Sequence, residues 1–252
     1  MTRVEGGAPM TISQHLVELR SRLVVSLFAI LAGALLAFWR VEDVYAFLEV
    51  PLRGAIEAHP GKVTLVQTKV FGAFLASMKI AFFSGCVLAS PVLLYQLWSF
   101  IGTGLYKHER AAVKWYAIPG FLLFQAGAAM AYFFVLPFAT SFLVNWSADL
   151  GVSSVLDLSP YVSFVALAMF VFGLMFQLPM VMIFLMRLGV VNPATFRKYR
   201  RHATVANVAL AMFLTPPDVV SQIVLAVCMS LLYEAGIVVG ARVSRPREER
   251  PS

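Results

Sequence analysis

The sequence predicts an all-α, polytopic membrane protein with six transmembrane helices, and three observations carry that expectation. The chain of 252 residues is 60% apolar and 13% charged, against about 25% charged in soluble domains; its mean hydropathy is +0.81. The apolar residues gather in six stretches: 23–39, 71–100, 115–137, 161–186, 203–214 and 219–239. The basic residues alternate around them. Arg3, Arg20 and Arg22 precede the first stretch, and Lys107, Arg110 and Lys114 separate the second from the third. Arg187, Arg197, Lys198, Arg200 and Arg201 lie at or between the ends of the fourth and fifth, and Arg242, Arg245, Arg247 and Arg250 follow the sixth. The intervening segments 138–160 and 215–218 hold neither Lys nor Arg. Cytoplasmic loops collect Lys and Arg, so both termini are expected in the cytoplasm and the whole of 1–252 forms one integral membrane domain.

Taken in order, residues 1–22 are a cytoplasmic segment. Thr11-Ile-Ser-Gln14 matches a capping box that starts a helix running into the first stretch. Residues 11–22 are polar and no small-residue cleavage site precedes the first stretch, so no cleavable leader is expected. Residues 40–70 form a periplasmic cap, with an amphipathic segment at 44–52 before a turn at His59-Pro60-Gly61. Arg40, Arg53, Lys62 and Lys69 in this cap run against the charge rule. The second stretch exceeds the ~20 residues that cross ~30 Å of hydrocarbon and should tilt or protrude. The third is expected to end at Pro137 and the fourth at Met186. The fifth offers about 18 Å at 1.5 Å per residue, and the sixth meets Glu234 after about 15 residues. These last two are therefore expected to be short, forming a hairpin around Pro216-Pro217-Asp218 that thins the bilayer or re-enters it. Pro91, Pro119, Pro137 and Pro179 should bend the long spans. Residues 241–252 are a cytoplasmic, disordered tail.

Chemistry-bearing motifs are few. There is no phosphate-binding loop, no HExxH and no nucleophile elbow; the four His residues are scattered, so no metal site, no cofactor and no enzyme is expected. The net charge of +7 is spread over juxtamembrane loops, which fits anionic lipid rather than nucleic acid. Cys86 and Cys228 read as packed helix residues. The inner side holds five acids, of which Glu5, Glu248 and Glu249 sit in the tails, leaving Glu18 and Glu109 at the inner membrane surface. His15, Glu18 and Arg22 share a helix face. Either each acid pairs locally, Glu18 with Arg22 and Glu109 with Lys107 or Arg110, or the two converge on a cationic ligand, for which paired guanidinium groups suit best. Among embedded polar residues, Lys79 snorkels to the outer interface, Asp218 caps the sixth helix, and Glu234 pairs with an inner-loop cation.

His15-Leu-Val-Glu18-Leu-Arg20-Ser-Arg22 resembles the opening signature of the TatC family, receptor subunits of the bacterial twin-arginine translocase. Similar to the same family are Ser90-Pro91-Val-Leu-Leu-Tyr95-Gln96-Leu-Trp98-Ser-Phe100, Leu105-Tyr-Lys-His-Glu-Arg110, Ala131-Tyr-Phe-Phe134 and Leu214-Thr215-Pro216-Pro217-Asp218-Val-Val-Ser221-Gln222. Five segments in order cover nearly the whole chain. The resemblance implies a concave, glove-like bundle of six helices that recognises twin-arginine signal peptides of folded cargo. It also implies assembly with TatA and TatB into an oligomeric complex in the bacterial cytoplasmic (inner) membrane, and export driven by the proton-motive force. It places signal-peptide binding on Glu18 and Glu109, with Arg20, Phe100, His108 and Arg110 around them, and partner contacts on Met212, Pro216, Pro217, Asp218 and Gln222. Where many relatives carry Phe-Glu-x-Pro in the fourth span, this chain has Phe176-Gln177-Leu-Pro179. Gln177 is then either a polar contact on the concave face or a residue satisfying backbone groups freed by Pro179. The rival class is a small-molecule secondary transporter, which would need inverted repeats and a midplane site; no repeat is visible.

Overall fold

The computed structural model describes residues 12–58, 63–66, 69–103, 107–151, 154–214 and 219–243. Its helices are α1 (Ile12–Trp39), α2 (Val41–Ala58), α3 (Gly72–Thr103), α4 (Lys107–Met130), α5 (Leu136–Asp149), α6 (Leu158–Met175), α7 (Leu178–Arg187), α8 (Pro193–Lys198), α9 (Arg200–Leu214) and α10 (Val219–Val243). A π-helical segment, Ala131–Val135, joins α4 to α5. Among the described residues, five segments are long and apolar enough to cross a bilayer: Ser13–Trp39, Gly72–Ile101, Tyr116–Asp149, Leu158–Arg187 and Ser221–Val243. Helices dominate because hydrocarbon offers no partner to backbone N–H and C=O groups, so each span must satisfy its own.

Several expectations change here. The sixth stretch is not short: α10 has 25 residues. The helix passes Glu234, whose expected pairing with a cation is met by Arg200, Nη2 donating to Glu234 Oε2 at 2.6 Å, and continues to Val243. The fifth is short, as its composition indicated; α9 has 15 residues, about 22 Å of rise. The third span does not end at Pro137. A proline cannot donate to the preceding turn, and its ring crowds the carbonyl four residues back. The π segment absorbs that misfit just before it, and α5 restarts with Pro137 in its first turn and runs to Asp149. At Pro179 the helix instead breaks at Phe176 and Gln177, giving α6 and α7. α3 and α4 continue through Pro91 and Pro119.

The all-α expectation also misses a small sheet. β1 (Val63–Val66) pairs in parallel with β2 (Ser154–Asp157), with Val63 opposite Ser154 and Val66 opposite Asp157. The amphipathic segment of the cap is longer than 44–52, since α2 runs through Pro51 to Ala58; the turn at 59–61 lies outside the described residues, as do Thr11, Glu5, Glu248 and Glu249.

The chain packs as two compact units. The first holds α1, α2 as far as Leu48, α3, α4 as far as Leu122 and α6 as far as Ala166. Its main seam is α1 on α3, where Gly33 and Gly85 let the two backbones meet: a Cβ on Gly85 would stand 2.5 Å from the Ala34 amide nitrogen. Ala37, Ala81 and Ala89 are buried and, at four-residue spacing from the two glycines, extend a small-residue stripe of the kind that joins membrane helices. Tyr161 Oη donates to the Leu48 carbonyl at 3.0 Å. The second unit holds the remaining elements. Its core joins Ala131, Val135, Phe172, Ala211, Leu225, Ala226 and Met229, and Met182, Met186 and Ile237 form a second cluster. Thr140 Oγ1 donates to the carbonyls of Leu136 at 2.8 Å and Pro51 at 3.2 Å.

Candidate functional site

The N-terminal turns of α1 and the last turns of α3 build a polar cluster in the first unit. On α1, His15, Glu18 and Arg22 fall on one face because three- and four-residue steps return to the same side of a helix. Arg22 Nε donates to Glu18 Oε1 at 2.8 Å, and Arg22 Nη1 donates to Gln96 Oε1 on α3 at 2.9 Å. One helical turn further along α3, the Phe100 ring stacks on His15 with centroids 4.4 Å apart and planes 23° apart. Trp98, between them, is 1% exposed and stacks on Tyr116 of α4 at 5.3 Å.

The local-pairing reading of Glu18 is therefore partly realised. Arg22 contacts Oε1 through both Nε and Nη2, while the Glu18 side chain keeps 32% of its surface exposed against 18% for Arg22. An i,i+4 pair this open contributes about 0.3–1 kcal/mol. Its larger effect is orientation, since Gln96 holds the far side of the guanidinium. Arg20 is exposed on the neighbouring face of α1.

His108, Glu109 and Arg110 lie in the first turn of α4, which opens four positions after α3 ends at Thr103. Their side chains lie outside the described ones. The three-residue connection keeps that turn within reach of the end of α3 that carries Phe100. Met212 is 62% exposed on α9 and Gln222 half-buried on α10; Pro216, Pro217 and Asp218, with the cap expected of Asp218, lie outside the described residues. α9 and α10 are held together near their middles, where Asn207 Nδ2 donates to Ser230 Oγ at 3.4 Å. Gln177 is 8% exposed at the break between α6 and α7; its carbonyl accepts from Val181 N at 3.1 Å, and its side chain does not cap the first turn of α7. Lys79 Nζ donates to Ser163 Oγ at 3.0 Å. Among the described residues no group of three or more His, Cys, Asp and Glu could hold a metal.

Reading the sequence alone missed Gln96 as part of the site. The available signal was a polar amide in the mainly apolar second half of the stretch 71–100, which a membrane helix keeps only where it has a partner.

The family model of Sec-independent protein translocase protein (TatC) matches residues 14–227. The chain is 39% identical over 247 residues to the TatC protein of Azotobacter chroococcum mcd 1, covering 98% of this chain and 95% of that one. It is 38% identical over 223 residues to the TatC protein of Escherichia coli K12, covering 88% and 85%. A crystal structure of a twin-arginine translocase receptor, TatC, superposes with a TM-score of 0.79 at 34% identity, covering 92% of this chain and all of the other. With apolar spans in the same chain, these matches make it a multi-pass membrane protein, and it belongs to the TatC family of Sec-independent protein translocase proteins.

Proposed function

We propose that this chain is the twin-arginine signal-peptide receptor and assembly platform of a Tat translocase in the bacterial cytoplasmic membrane. In this reading the six stretches form a concave, glove-like bundle with both termini in the cytoplasm and residues 40–70 as a periplasmic cap. The short α9 crosses a locally thinned bilayer or re-enters it. Cargo is handed to TatA and TatB, with Met212, Pro216, Pro217, Asp218 and Gln222 as the partner edge and Gln177 as a polar contact for the signal peptide. Lipids surround an oligomeric complex, and the proton-motive force drives export. The family is one of translocase receptors rather than catalysts, so the chemistry required is recognition.

The observation that carries the reading is the Glu18–Arg22–Gln96 arrangement beside the His15–Phe100 stack. Arg22 engages one carboxylate oxygen of Glu18, and the partly exposed carboxylate still has its second oxygen for an incoming guanidinium. Glu109, one short connection from Phe100, supplies the second carboxylate. A charge-assisted hydrogen bond contributes about 1.5–3 kcal/mol, so two pairs give about 3–6 kcal/mol, or roughly 10²–10⁴ in affinity. Arginine presents a planar fork that lysine lacks, which selects an Arg-Arg over a Lys-Lys pair.

The test is photo-crosslinking of Arg-Arg and Lys-Lys signal peptides to positions around Glu109 in native membranes. Glu109→Ala should abolish the Arg-Arg crosslink and Glu109→Asp retain part of it. Glu18→Ala should weaken it less, because Arg22 already neutralises part of that charge. Equal crosslinking by Glu109→Ala and the parent would remove Glu109 from the site.

A further inference from the structure

Lys79 is the one charged residue in Gly72–Ile101, and it lies seven residues from the start of α3, about 10 Å along the axis. Its ammonium donates to Ser163 Oγ at 3.0 Å. Ser163, five residues into α6, in turn donates to the Ser159 carbonyl at 2.7 Å, so its hydroxyl proton is committed and its lone pair faces the lysine. An ammonium carries three N–H donors, and this bond uses one. Lys79 is exposed, it takes part in no ion pair among the described residues, and neither Gly72–Ile101 nor Leu158–Met175 contains an acid. A charge at this depth is costly unless a counter-charge or water reaches it.

The counter-charge therefore has to come from outside the two helices that hold the amine. We infer that Lys79 and Ser163 form a binding site for the phosphate of a phospholipid headgroup, in the leaflet that meets the N-terminal ends of α3 and α6. Depth fits: Ser163 stands about 7 Å along α6 from its start, so the ammonium it holds lies within about one and a half helical turns of the helix ends, where a lysine stem meets headgroup phosphates by snorkelling. Ser163 fixes the ammonium on the α6 side and leaves two N–H groups for phosphate oxygens. Phe74 and Met78, exposed on the same helix, offer apolar surface to acyl chains. Free inorganic phosphate shares the headgroup chemistry but gains nothing from that surface.

The full chain is purified in detergent, titrated with phosphatidylglycerol, and its bound lipids are counted by native mass spectrometry for the parent, Lys79→Arg, Lys79→Gln and Ser163→Ala. Melting temperatures confirm that each variant is folded. The parent and Lys79→Arg should retain one phosphatidylglycerol that Lys79→Gln binds about fivefold more weakly, the factor of one interfacial cation; Ser163→Ala should fall between. A parallel titration with inorganic phosphate should not displace the lipid. Equal retention by Lys79→Gln and the parent overturns the inference. So does displacement by millimolar phosphate, or unchanged lipid binding together with loss of co-purifying subunits, which would assign Lys79 to an acidic residue of a protein partner.

Discussion

Replacing Gly85 by alanine tests the α1–α3 seam that also carries the Glu18–Arg22–Gln96 contacts. The new Cβ would lie 2.5 Å from the backbone nitrogen and 2.7 Å from Cα of Ala34, where ordinary contact begins at 3.4 Å. Backbone atoms cannot rotate aside, so the helices must part by about 0.9 Å at this point. A gap of that size forfeits a quarter to a half of each atom-pair attraction along the stripe, and overpacking of this kind typically costs about 1–3 kcal/mol. Alanine recovers about 1 kcal/mol through its helix propensity, leaving a net loss of about 0–2 kcal/mol. At about 2–4 °C per kcal/mol for a chain of this size, the melting temperature in detergent should fall by up to roughly 8 °C below the parent, and by roughly 2–12 °C below a variant that gains the propensity without the clash. If the opening extends to Gln96, about 16 Å along α3, the 2.9 Å Arg22–Gln96 bond stretches beyond hydrogen-bonding range, and the Arg-Arg crosslink should weaken in parallel. Gly54→Ala is the control, since nothing lies within 4 Å of its Cβ and it gains the same propensity. Gly85→Ala melting at or above Gly54→Ala would refute the close-approach argument.

Tyr161→Phe removes a buried bond to the Leu48 carbonyl and should destabilise the chain by about 1–2 kcal/mol, read as a lower melting temperature. Glu234→Gln keeps α10 helical and costs under about 1 kcal/mol, because the Arg200–Glu234 pair is nearly half exposed on both sides; cysteines placed at both ends of α10 should label from opposite membrane faces, and labelling from one face would deny the span. Gln177→Leu should impair export of a reporter cargo if its amide serves the signal peptide, and unchanged export would leave it a role at the α6–α7 break.

Much of the helical architecture is legible in the sequence because a bilayer imposes a one-dimensional rule: apolar length decides what can span, and each span closes its own hydrogen bonds. The same holds for His15, Glu18 and Arg22, whose shared face follows from local spacing. Segment order and motif content were enough to point to the family that the comparisons then identified. What depended on particular partners distant in sequence was less legible. The sequence indicated a cationic partner for Glu234 but not that Arg200, 34 residues away, supplies it or that α10 runs on past it; the β1–β2 pairing joins four-residue strands about ninety positions apart, with no local pattern long enough to announce it. Continuation of the third span beyond Pro137 depended on a π segment, a backbone adjustment that composition does not encode.

The sequence by itself determined which segments are apolar enough to span a bilayer, where basic residues gather between them, and where the carboxylates fall along the chain, because hydrocarbon solvation acts on each segment separately. Only the tertiary structure decided that Gln96 holds Arg22 against Glu18, that two glycines set the α1–α3 distance, and that Lys79 meets Ser163. Those outcomes are fixed by atoms brought within a few ångströms from separate helices, and packing geometry, unlike hydropathy, is a property of the pair.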